Sequence, residues 1–273
     1  MYYRHEFNFN YPERSDEQMV RIKHVKDVNL DENYPYLDKS FWFKFKRAIL
    51  WLFMPIGFLI CTIRHGVKIH GRKQFKKHKK EFKNGAITIA NHVLLWDYVC
   101  VLKAIRPIMQ YHPSWKANIE GPNANIIRAA GGIPIPTDNV RAMAKFQKAI
   151  GEVLKDGKWL HFFPEGALWP YYPDIRPLKK AVFKYAVRYN KPVIPITISF
   201  RPRKGIMKLF GKTPLVDVHI GEPLYPDTSL PFHEAIDKIH KEAYHVMQVM
   251  VGVNPGDPTY NTDQNIETYK KTM

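Results

Sequence analysis

From residue 85 onward, short apolar runs alternate with stretches in which apolar residues recur every three or four positions. The runs have the length and β-branched content of strands, and the periodic stretches are typical of amphipathic helices. Predicted strands occupy residues 86–90, 108–111, 132–135, 159–163, 193–200 and 215–220, and predicted helices occupy residues 94–105, 141–154, 179–188 and 232–250. This alternation predicts an α/β domain in which helices flank a mostly parallel sheet.

The same pattern divides the chain into four segments. Residues 1–38 are polar and aromatic, and we expect them to form a peripheral N-terminal arm. Residues 39–66 contain the most apolar stretch and are predicted to form a membrane-associated helical segment. Residues 67–253 are predicted to form the α/β domain, and residues 254–273 a polar tail.

The apolar segment begins with a basic, aromatic sequence at residues 41–47 and continues through sixteen uncharged residues, 48–63. As a helix, the uncharged part is about 24 Å long, which is shorter than the roughly 30 Å hydrocarbon core of a bilayer. Cations flank it on both sides, whereas a spanning helix has asymmetric basic flanks. The pattern favours an amphipathic helix that dips into one leaflet, with a true span or a buried core helix as alternatives. The residues expected at the membrane are Phe41, Trp42, Phe43, Lys44, Lys46, Arg47 and Trp51.

A formal net charge of +17 predicts attraction to an anionic partner. Residues 38–83 hold thirteen Lys or Arg against two acids, so a net charge of +11 surrounds the apolar stretch. Basic residues beside an apolar helix favour a phospholipid surface over a nucleic acid. The first forty residues lack the apolar core of a cleavable signal peptide, so we expect a peripheral or monotopic protein on the cytoplasmic face of the cell membrane.

The first candidate for chemistry follows the apolar run AITIA, in the sequence NHVLLWD at residues 91–97. At a predicted strand-to-helix turn, His92 and Asp97 can meet, and the carboxylate can then hold one imidazole nitrogen and strengthen the other as a base. Such a pair suits removal of a proton from a hydroxyl that attacks a carbonyl. The same spacing also suits a satisfied core histidine beside a helix-start acid, so the pair alone does not decide the function.

The second candidate is FFPEG at residues 162–166, at the end of a predicted strand. Ligands of open α/β sheets bind at the carboxyl ends of the strands. We expect Glu165 to accept hydrogen bonds from an acceptor's hydroxyls and Gly166 to let a ligand approach the backbone. A Pro-Glu-Gly sequence also suits an ordinary turn, and the proline-broken apolar runs 131–136 and 193–196 suit structural roles.

In combination and in order, these segments resemble the 1-acylglycerol-3-phosphate O-acyltransferase family, the glycerolipid acyltransferases. That family is marked by Asn-His-x4-Asp, a Gly-containing block that ends in Asp-Arg, Phe-Pro-Glu-Gly and a hydrophobic Val-Pro block. The matching segments here are residues 91–97, 131–137, 163–166 and 193–196. The resemblance covers residues 67–221, and the apolar helix ahead of it is similar to the family's membrane-dipping region.

The resemblance implies acyl transfer from acyl-CoA or acyl carrier protein to the free hydroxyl of lysophosphatidic acid, with no cofactor, no metal site and no covalent acyl-enzyme. His92 would take the hydroxyl's proton and Asp97 would orient the imidazole, while backbone amides near the turn would stabilise the oxyanion. The motif residues that would help to hold the acceptor are Asn91, Pro164, Glu165 and Gly166. The expected partners are a phospholipid membrane, the acyl donor and a lysophospholipid, and not a nucleic acid.

The chain departs from the family's pattern at positions that recognise the acceptor. Thr137 stands where the family has an arginine for the acceptor's phosphate, and we expect Arg128 or Arg141 to substitute for it. Residues 167–169, Ala-Leu-Trp, replace the family's Thr-Arg-Ser. Acceptor recognition therefore looks altered, which leaves another lipid or glycolipid acceptor open. Further candidate cations for an anionic group are Arg176, Lys179 and Lys180.

Two other functions remain open at this point. His92 and Asp97 with His161 could be ligands in a metal hydrolase, but the sequence has no His-x3-His or comparable spacing. A basic protein that binds membranes or nucleic acid without activity would explain the charge. It would leave the joint occurrence of His92, Asp97 and Glu165 to chance.

Overall fold

The computed structural model of the protein describes residues 9–137 and 139–252. Its strands are β1 (Lys68–His70), β2 (Ile87–Ala90), β3 (Gln110–Ser114), β4 (Gly132–Pro134), β5 (Trp159–Phe162), β6 (Val193–Arg201) and β7 (Leu215–Ile220). They form one sheet in the order β1-β7-β6-β2-β5-β3-β4. Neighbouring strands in this order are parallel except β6 and β7, which are antiparallel. The predicted α/β class with a mostly parallel sheet is confirmed.

Helices cover both faces of the sheet. The α-helices are α1 (Phe41–Ile63), α2 (Arg72–Lys77), α3 (Asp97–Ile105), α4 (Lys116–Glu120), α5 (Ala124–Ala129), α6 (Val140–Lys155), α7 (Ala181–Tyr189) and α8 (Phe232–Gly252), and two 3₁₀ helices span His78–Asn84 and Gly205–Phe210. Helices α6, α7 and α8 pack on one face, and α3 with the end of α1 packs on the other. All four residues of β2 are buried because this central strand is covered from both sides.

The positions of the elements differ from the predicted ones where polar residues interrupt the pattern. The sequence does not predict strand β1, because it is a three-residue edge strand whose residues are mostly exposed and form no apolar run. Strand β3 begins later than predicted and continues to Ser114 through polar residues. Helix α3 begins at Asp97 and not at Leu94, because residues 91–96 form the turn that carries His92.

Helix α1 lies along the domain and leaves one apolar face uncovered. The hydroxyl of Ser40 accepts a hydrogen bond from the Phe43 N–H at 3.1 Å and so begins the helix. At 23 residues, α1 is about 34 Å long, and by length and composition it could cross a membrane. The buried residues are Phe43, Arg47, Met54, Phe58 and Cys61. The exposed apolar residues are Phe41, Trp42, Phe45, Ile49, Leu52, Phe53, Ile56, Leu59 and Ile63.

Two residues that were predicted to contact a membrane face the domain instead. Phe43 is 9% exposed and Arg47 is 8% exposed. The Arg47 guanidinium donates to the Gln110 carbonyl at 2.7 Å and lies 4.4 Å from the centre of the Tyr111 ring. Helical periodicity places Phe43 and Arg47 on one side of α1, and the sequence alone did not show which side meets the domain. Of the other predicted membrane residues, Phe41, Trp42, Lys44 and Lys46 are exposed and Trp51 is half-buried.

The N-terminal arm packs along the domain from residue 9 to residue 38. Tyr36 is 3% exposed and meets the core residue Phe146 edge to face, with ring centres 6.4 Å apart. Near its beginning, Tyr11 stacks on Trp169 with ring centres 5.4 Å apart. The arm therefore adds to the core at one end and covers the segment after Phe-Pro-Glu-Gly at the other. The predicted polar tail, residues 254–273, lies outside the described residues.

Candidate active site

His92 and Asp97 meet at the carboxyl end of β2. The chain leaves the sheet after Ala90, turns, and enters α3 at Asp97. Nδ1 of His92 lies 2.5 Å from Oδ2 of Asp97. The Asp97 side chain is 3% exposed and the His92 side chain is 24% exposed. The carboxylate is thus held inside the protein while the imidazole reaches the surface.

The second nitrogen of His92 is available for chemistry. Within the described part of the chain, Nε2 makes no hydrogen bond. A carboxylate at Nδ1 favours the tautomer that carries its proton there, which leaves a lone pair on Nε2. The imidazole stacks on Phe163, with ring centres 4.0 Å apart and planes 12° apart. The aspartate and the phenyl ring together orient a base that can accept a proton.

Glu165 is a second buried carboxylate, and it holds the backbone of His92. Its side chain is 0% exposed and pairs with Arg176, with 2.6 Å between Oε2 and Nη2. Oε2 also accepts the backbone N–H of His92 at 2.9 Å, and Oε1 accepts the backbone N–H of Arg176 at 2.9 Å. The predicted contact between Glu165 and an acceptor's hydroxyls does not fit a side chain without exposed surface. The His92 N–H, already bonded, is also not free as an oxyanion donor.

Asn91 joins two strands of the sheet. Its side chain is fully buried, Nδ2 donates to the Ile198 carbonyl at 2.9 Å, and Oδ1 accepts the Ile198 N–H at 2.7 Å. Strand β2 ends at Ala90 while its neighbour β6 continues to Arg201, so the Asn91 amide extends the ladder by one step. A buried amide with both groups engaged does not support the predicted contact with the acceptor. The two hydrogen bonds between Asn91 and Ile198 instead fix the position of the turn that carries His92.

The sequence model of the Acyltransferase family matches residues 66–199, which include His92, Asp97 and Glu165. The chain carries a domain of the acyltransferase family. This match confirms the acyltransferase class that the motifs predicted.

The fold of this acyltransferase is similar to that of a solved relative. The crystal structure of the 1-acyl-sn-glycerophosphate (LPA) acyltransferase PlsC from Thermotoga maritima matches 79% of this chain and 83% of its own, with a TM-score of 0.55 and 22% sequence identity. At this identity the likeness concerns the fold. A comparison with curated protein sequences gives no match.

In this acyltransferase, the N-terminal arm packs against the residues that follow Phe-Pro-Glu-Gly. Trp169 is 4% exposed, and its indole Nε1 donates to the Glu17 carbonyl at 2.8 Å. The Arg176 guanidinium lies 4.5 Å from the centre of the Trp169 ring and donates to the Ser15 carbonyl at 2.6 Å. Trp169, at a position where the resembled family has a polar residue, therefore contacts the arm. The arm also contacts Arg176, which pairs with the Glu165 that holds His92.

Gly166 brings an exposed cation to the same turn. Its φ of +83° is a left-handed conformation, and an added Cβ would lie 2.9 Å from Cε of Lys179. Pro164 is buried, and its carbonyl accepts the Lys179 N–H at 2.8 Å. The Lys179 side chain is 57% exposed, and Nζ lies 3.2 Å from the Asp16 carboxylate of the arm. Pro164 and Gly166 thus position Lys179 over the Phe-Pro-Glu-Gly turn.

The structure places the three residues predicted to recognise an acceptor phosphate outside the hydrogen bonds of the dyad formed by His92 and Asp97. Arg128 donates to the backbone carbonyls of Pro35, Tyr36 and Gly132 and so ties the arm to β4. The Arg141 side chain is 84% exposed, and Nη1 lies 3.8 Å from a Glu32 oxygen. Thr137 is exposed after β4. Neither arginine bonds to His92, Asp97 or Glu165 among residues 9–137 and 139–252.

His161 lies one layer behind the base. Its ring meets Phe163 edge to face with ring centres 4.4 Å apart, and Nδ1 lies 2.8 Å from the Thr88 hydroxyl. Burial lowers the pKa of His161 well below its ordinary value, so the ring is neutral at neutral pH. No group of three or more His, Cys, Asp or Glu side chains that could hold a metal ion occurs among the residues that the structure describes.

Arg176 and the arm are the parts of the site that sequence reasoning missed. Arg176 was grouped with the cations for an anionic ligand, because an arginine eleven positions after a glutamate gives no periodic sign of pairing. One signal was present. Ile175, Pro177 and Leu178 are apolar neighbours of Arg176, and an arginine that is buried among such residues requires an acidic partner.

Proposed function

We propose that the protein transfers a fatty acyl group from acyl-CoA or acyl carrier protein to the free hydroxyl of lysophosphatidic acid in phospholipid synthesis. The observation that carries this proposal is the 2.5 Å contact between His92 Nδ1 and Asp97 Oδ2, with an imidazole that reaches the surface. The Thermotoga maritima protein with a similar fold is a 1-acyl-sn-glycerophosphate acyltransferase, which supports a glycerolipid acceptor.

In the proposed reaction, His92 Nε2 accepts the proton of the acceptor's hydroxyl as its oxygen attacks the thioester carbonyl carbon. Asp97 stabilises the positive charge that the imidazolium gains. The tetrahedral adduct then collapses as the C–S bond breaks, and the imidazolium returns its proton to the leaving thiolate. An ester and a free thiol result, and the step balances without a metal ion or a covalent acyl-enzyme. A base placed in this way contributes about 10²- to 10⁴-fold.

The Glu165–Arg176 pair supports this reaction from inside the protein. It holds the backbone N–H of His92 at 2.9 Å, so the base cannot shift without moving a buried ion pair. Displacements of about 1 Å at a reacting group cost large factors in rate. Glu165 and Arg176 are therefore positioning residues in the proposed mechanism.

Helix α1 supports a monotopic position on the membrane. Its buried residues extend from Phe43 to Cys61, so the helix lies against the domain over most of its length. A spanning helix would leave the domain and would carry Arg47 into lipid, which is costly. The exposed apolar face beside Lys44 and Lys46 suits the boundary between acyl chains and anionic headgroups. We place this surface on the cytoplasmic leaflet, whose anionic lipids attract basic segments.

A different lipid or glycolipid hydroxyl is the second candidate acceptor. Trp169 stands where the resembled family has polar residues, and Arg128 is committed to three backbone carbonyls. Lys179 then supplies a cation at the turn, on an exposed side chain that can contact several kinds of headgroup.

The direct test is a product screen by mass spectrometry. Purified protein is incubated with acyl-CoA or acyl carrier protein and a panel of lysolipids and glycolipids that includes lysophosphatidic acid. We expect phosphatidic acid and free thiol in equal amounts. Transfer to another acceptor but not to lysophosphatidic acid would replace the acceptor in the proposal, and no transfer with either donor would overturn the proposal.

Two variants test the roles of the dyad. His92→Ala is expected to abolish transfer and keep the fold, because His92 lies in a turn and not in the core. Asp97→Asn is expected to lower kcat mainly through the wrong imidazole tautomer. Activity above a few per cent in a folded His92→Ala protein would remove the base from the mechanism. A chelator is expected to leave the parent rate unchanged, which separates this reaction from metal-dependent hydrolysis.

A further inference from the structure

A groove with two arginines lies beside α1, away from the catalytic dyad. Its volume is about 450 Å³, and its lining consists of Trp51, Pro55, Phe58, Arg72, Arg106 and Pro107. One wall is an apolar side of α1, and the others are the first residue of α2 and the turn after α3. Asp97 begins α3 and Arg106 follows its end, so the groove lies roughly 13 Å along this helix from the dyad.

Two arginines line this groove, and Lys103 bonds the backbone of its lining residue Phe58. Arg72 Nη2 donates to the Arg106 carbonyl at 3.2 Å, which brings the two residues to one wall. Burial, together with the charge of Arg106, lowers the pKa of Arg72. Lys103 donates to the Phe58 carbonyl at 2.7 Å and to the Thr62 hydroxyl. Burial lowers the pKa of Lys103, and the charges of Arg106 and Arg72 act in the same direction, against the opposite effect of Cys61 and Cys100. The three positive groups are therefore close enough for their charges to interact.

No acidic side chain offsets these charges in the part of the chain that the structure describes. Arg72, Lys103 and Arg106 form no ion pair there. The two acids of residues 38–83 are engaged elsewhere, since Asp38 accepts the Ser40 N–H and Glu81 pairs with His78. Like charges that lie close together without a counter-charge repel, and an anion between them would relieve that repulsion. Guanidinium groups suit a phosphate because they donate two parallel hydrogen bonds.

The apolar wall decides which phosphate compound fits. Trp51, Pro55 and Phe58 lie on successive turns of one side of α1, next to the exposed Leu52 and Ile56. A ligand held by the arginines would continue along this wall onto the exposed apolar face of the helix. A free phosphate makes no use of such a wall, whereas the acyl chains of a phospholipid do.

We propose that this groove binds an anionic phospholipid, with its phosphate between Arg72 and Arg106 and its acyl chains along Trp51, Pro55 and Phe58. Lys103 adds positive charge from the end of α3. A lipid bound here holds α1 against the bilayer and leaves the dyad free for substrates. The site is independent of the proposed reaction, because it requires neither an acyl donor nor His92.

Vesicle binding tests the site. The full-length protein is mixed with vesicles of phosphatidylcholine alone or of phosphatidylcholine and phosphatidylglycerol in equal amounts, with no acyl donor present. The groove variant is Arg72→Gln with Arg106→Gln. Its matched control is Lys76→Gln with Lys79→Gln, which removes the same charge from exposed residues of the same basic stretch outside the groove. The thermal unfolding of all three proteins is compared first.

We expect the groove variant to bind the anionic vesicles roughly tenfold or more weakly than its control, since charge-assisted hydrogen bonds to a phosphate are lost. Equal losses in the two double variants would show diffuse attraction and would overturn the proposal. Release of the parent protein from anionic vesicles by coenzyme A or inorganic phosphate, at constant ionic strength, would assign the groove to a free phosphate compound and would also overturn it.

A single substitution keeps the test usable if the double variant unfolds. The Arg106 side chain is exposed and makes no hydrogen bond with the described residues, so Arg106→Gln is expected to fold. Its control is Lys79→Gln. Weaker binding of anionic vesicles by Arg106→Gln than by Lys79→Gln supports the site, and equal binding contradicts it.

Discussion

His92, the proposed catalytic base, is held at two points by two different carboxylates. Asp97 bonds its imidazole and Glu165 bonds its backbone N–H. A buried carboxylate is stable only when its charge is paired and its lone pairs are satisfied. Glu165 meets this requirement with the Arg176 guanidinium and two backbone N–H groups. The position of the base is therefore coupled to an ion pair that substrates do not touch.

The coupling predicts different effects for two variants. Arg176→Met should lower the free energy of unfolding by roughly 3–5 kcal/mol, because it leaves the Glu165 charge buried without a partner. Glu165→Gln with Arg176→Met should recover part of that stability. Both proteins should keep the acceptor's KM and lose kcat, since the backbone of His92 is less well held. Denaturant unfolding and steady-state kinetics measure these quantities.

A purely structural role for the pair gives another pattern. In that case the stable double variant would regain the parent kcat together with its stability. Equal recovery of kcat and stability would therefore contradict a positioning role for Glu165 and Arg176.

Lys179 is the exposed cation that we expect to contact the phosphate of the acceptor. Lys179→Ala should raise the KM for a phosphorylated lysolipid by about tenfold, the effect of losing one charge-assisted hydrogen bond, with little change in kcat. The matched control is Lys180→Ala, which removes a cation that pairs with Asp237 at 2.9 Å. Kinetics with lysophosphatidic acid and with an uncharged monoacylglycerol measure the effect. An equal rise in KM for both acceptors would show that Lys179 does not contact the phosphate.

At the scale of elements, the two sides of α1 have different surroundings. One side contacts α3 and α5 and carries a buried arginine, and the other exposes apolar side chains. Arg47 fits in the interior because its guanidinium bonds the carbonyls of Gln110 and Ala129 and stacks on Tyr111. The same interaction fixes the rotation of the helix about its axis. The rotation in turn determines which apolar residues of α1 stay exposed and are available to contact a membrane.

Removal of this contact should destabilise the domain. Arg47→Met keeps the apolar length of the side chain but leaves two carbonyls without their donor, which costs roughly 1–3 kcal/mol for each unsatisfied buried group. Lys46→Met removes the same charge from the exposed side and should change the free energy of unfolding little. Denaturant unfolding in detergent compares the two. Similar losses in both variants would contradict a role of Arg47 in the docking of α1.

The arm is the second element with an unexpected position. Its aromatic residue Tyr11 stacks on Trp169, and its Ser15 carbonyl accepts a hydrogen bond from Arg176. Residues without recognisable chemistry in the sequence therefore close one side of the active-site loop. They reach it because a chain without regular structure can follow the domain surface over a long distance.

At the scale of the whole molecule, the closely covered sheet buries a neutral histidine. Burial keeps the folded-state pKa of His161 well below its ordinary value near 6.5, whereas the unfolded chain takes up the proton below that pH. The unfolded state therefore gains more protons on acidification, and stability falls as the pH falls below about 6.5. One such histidine contributes about 1.4 kcal/mol per pH unit in that range.

His161→Gln should show a smaller loss of stability between neutral and mildly acidic pH than the parent protein. The control His24→Gln removes a histidine with a 57% exposed side chain and measures the general effect of replacing an imidazole by an amide. Thermal unfolding at a series of pH values measures the slopes. An unchanged slope in His161→Gln would show that other groups dominate the acid sensitivity.

The sequence by itself determined the parts of this protein that depend on local pattern. Alternating runs and helical periods predicted the α/β fold, and NHVLLWD with FFPEG predicted the family and the dyad. These signals are local because backbone geometry relates neighbours in the chain to faces of a strand or helix. The meeting of His92 with Asp97 was predictable for the same reason, since only one turn separates them.

Only the tertiary structure decided which charged groups are buried and with which partners. Arg176 meets Ser15 across 161 positions of the chain, and Arg47 meets Gln110 across 63. The local sequence identifies no partner for either arginine, although apolar residues flank Arg176. A buried charge becomes stable only when distant segments bring its partners together, so its role depends on packing and not on spacing.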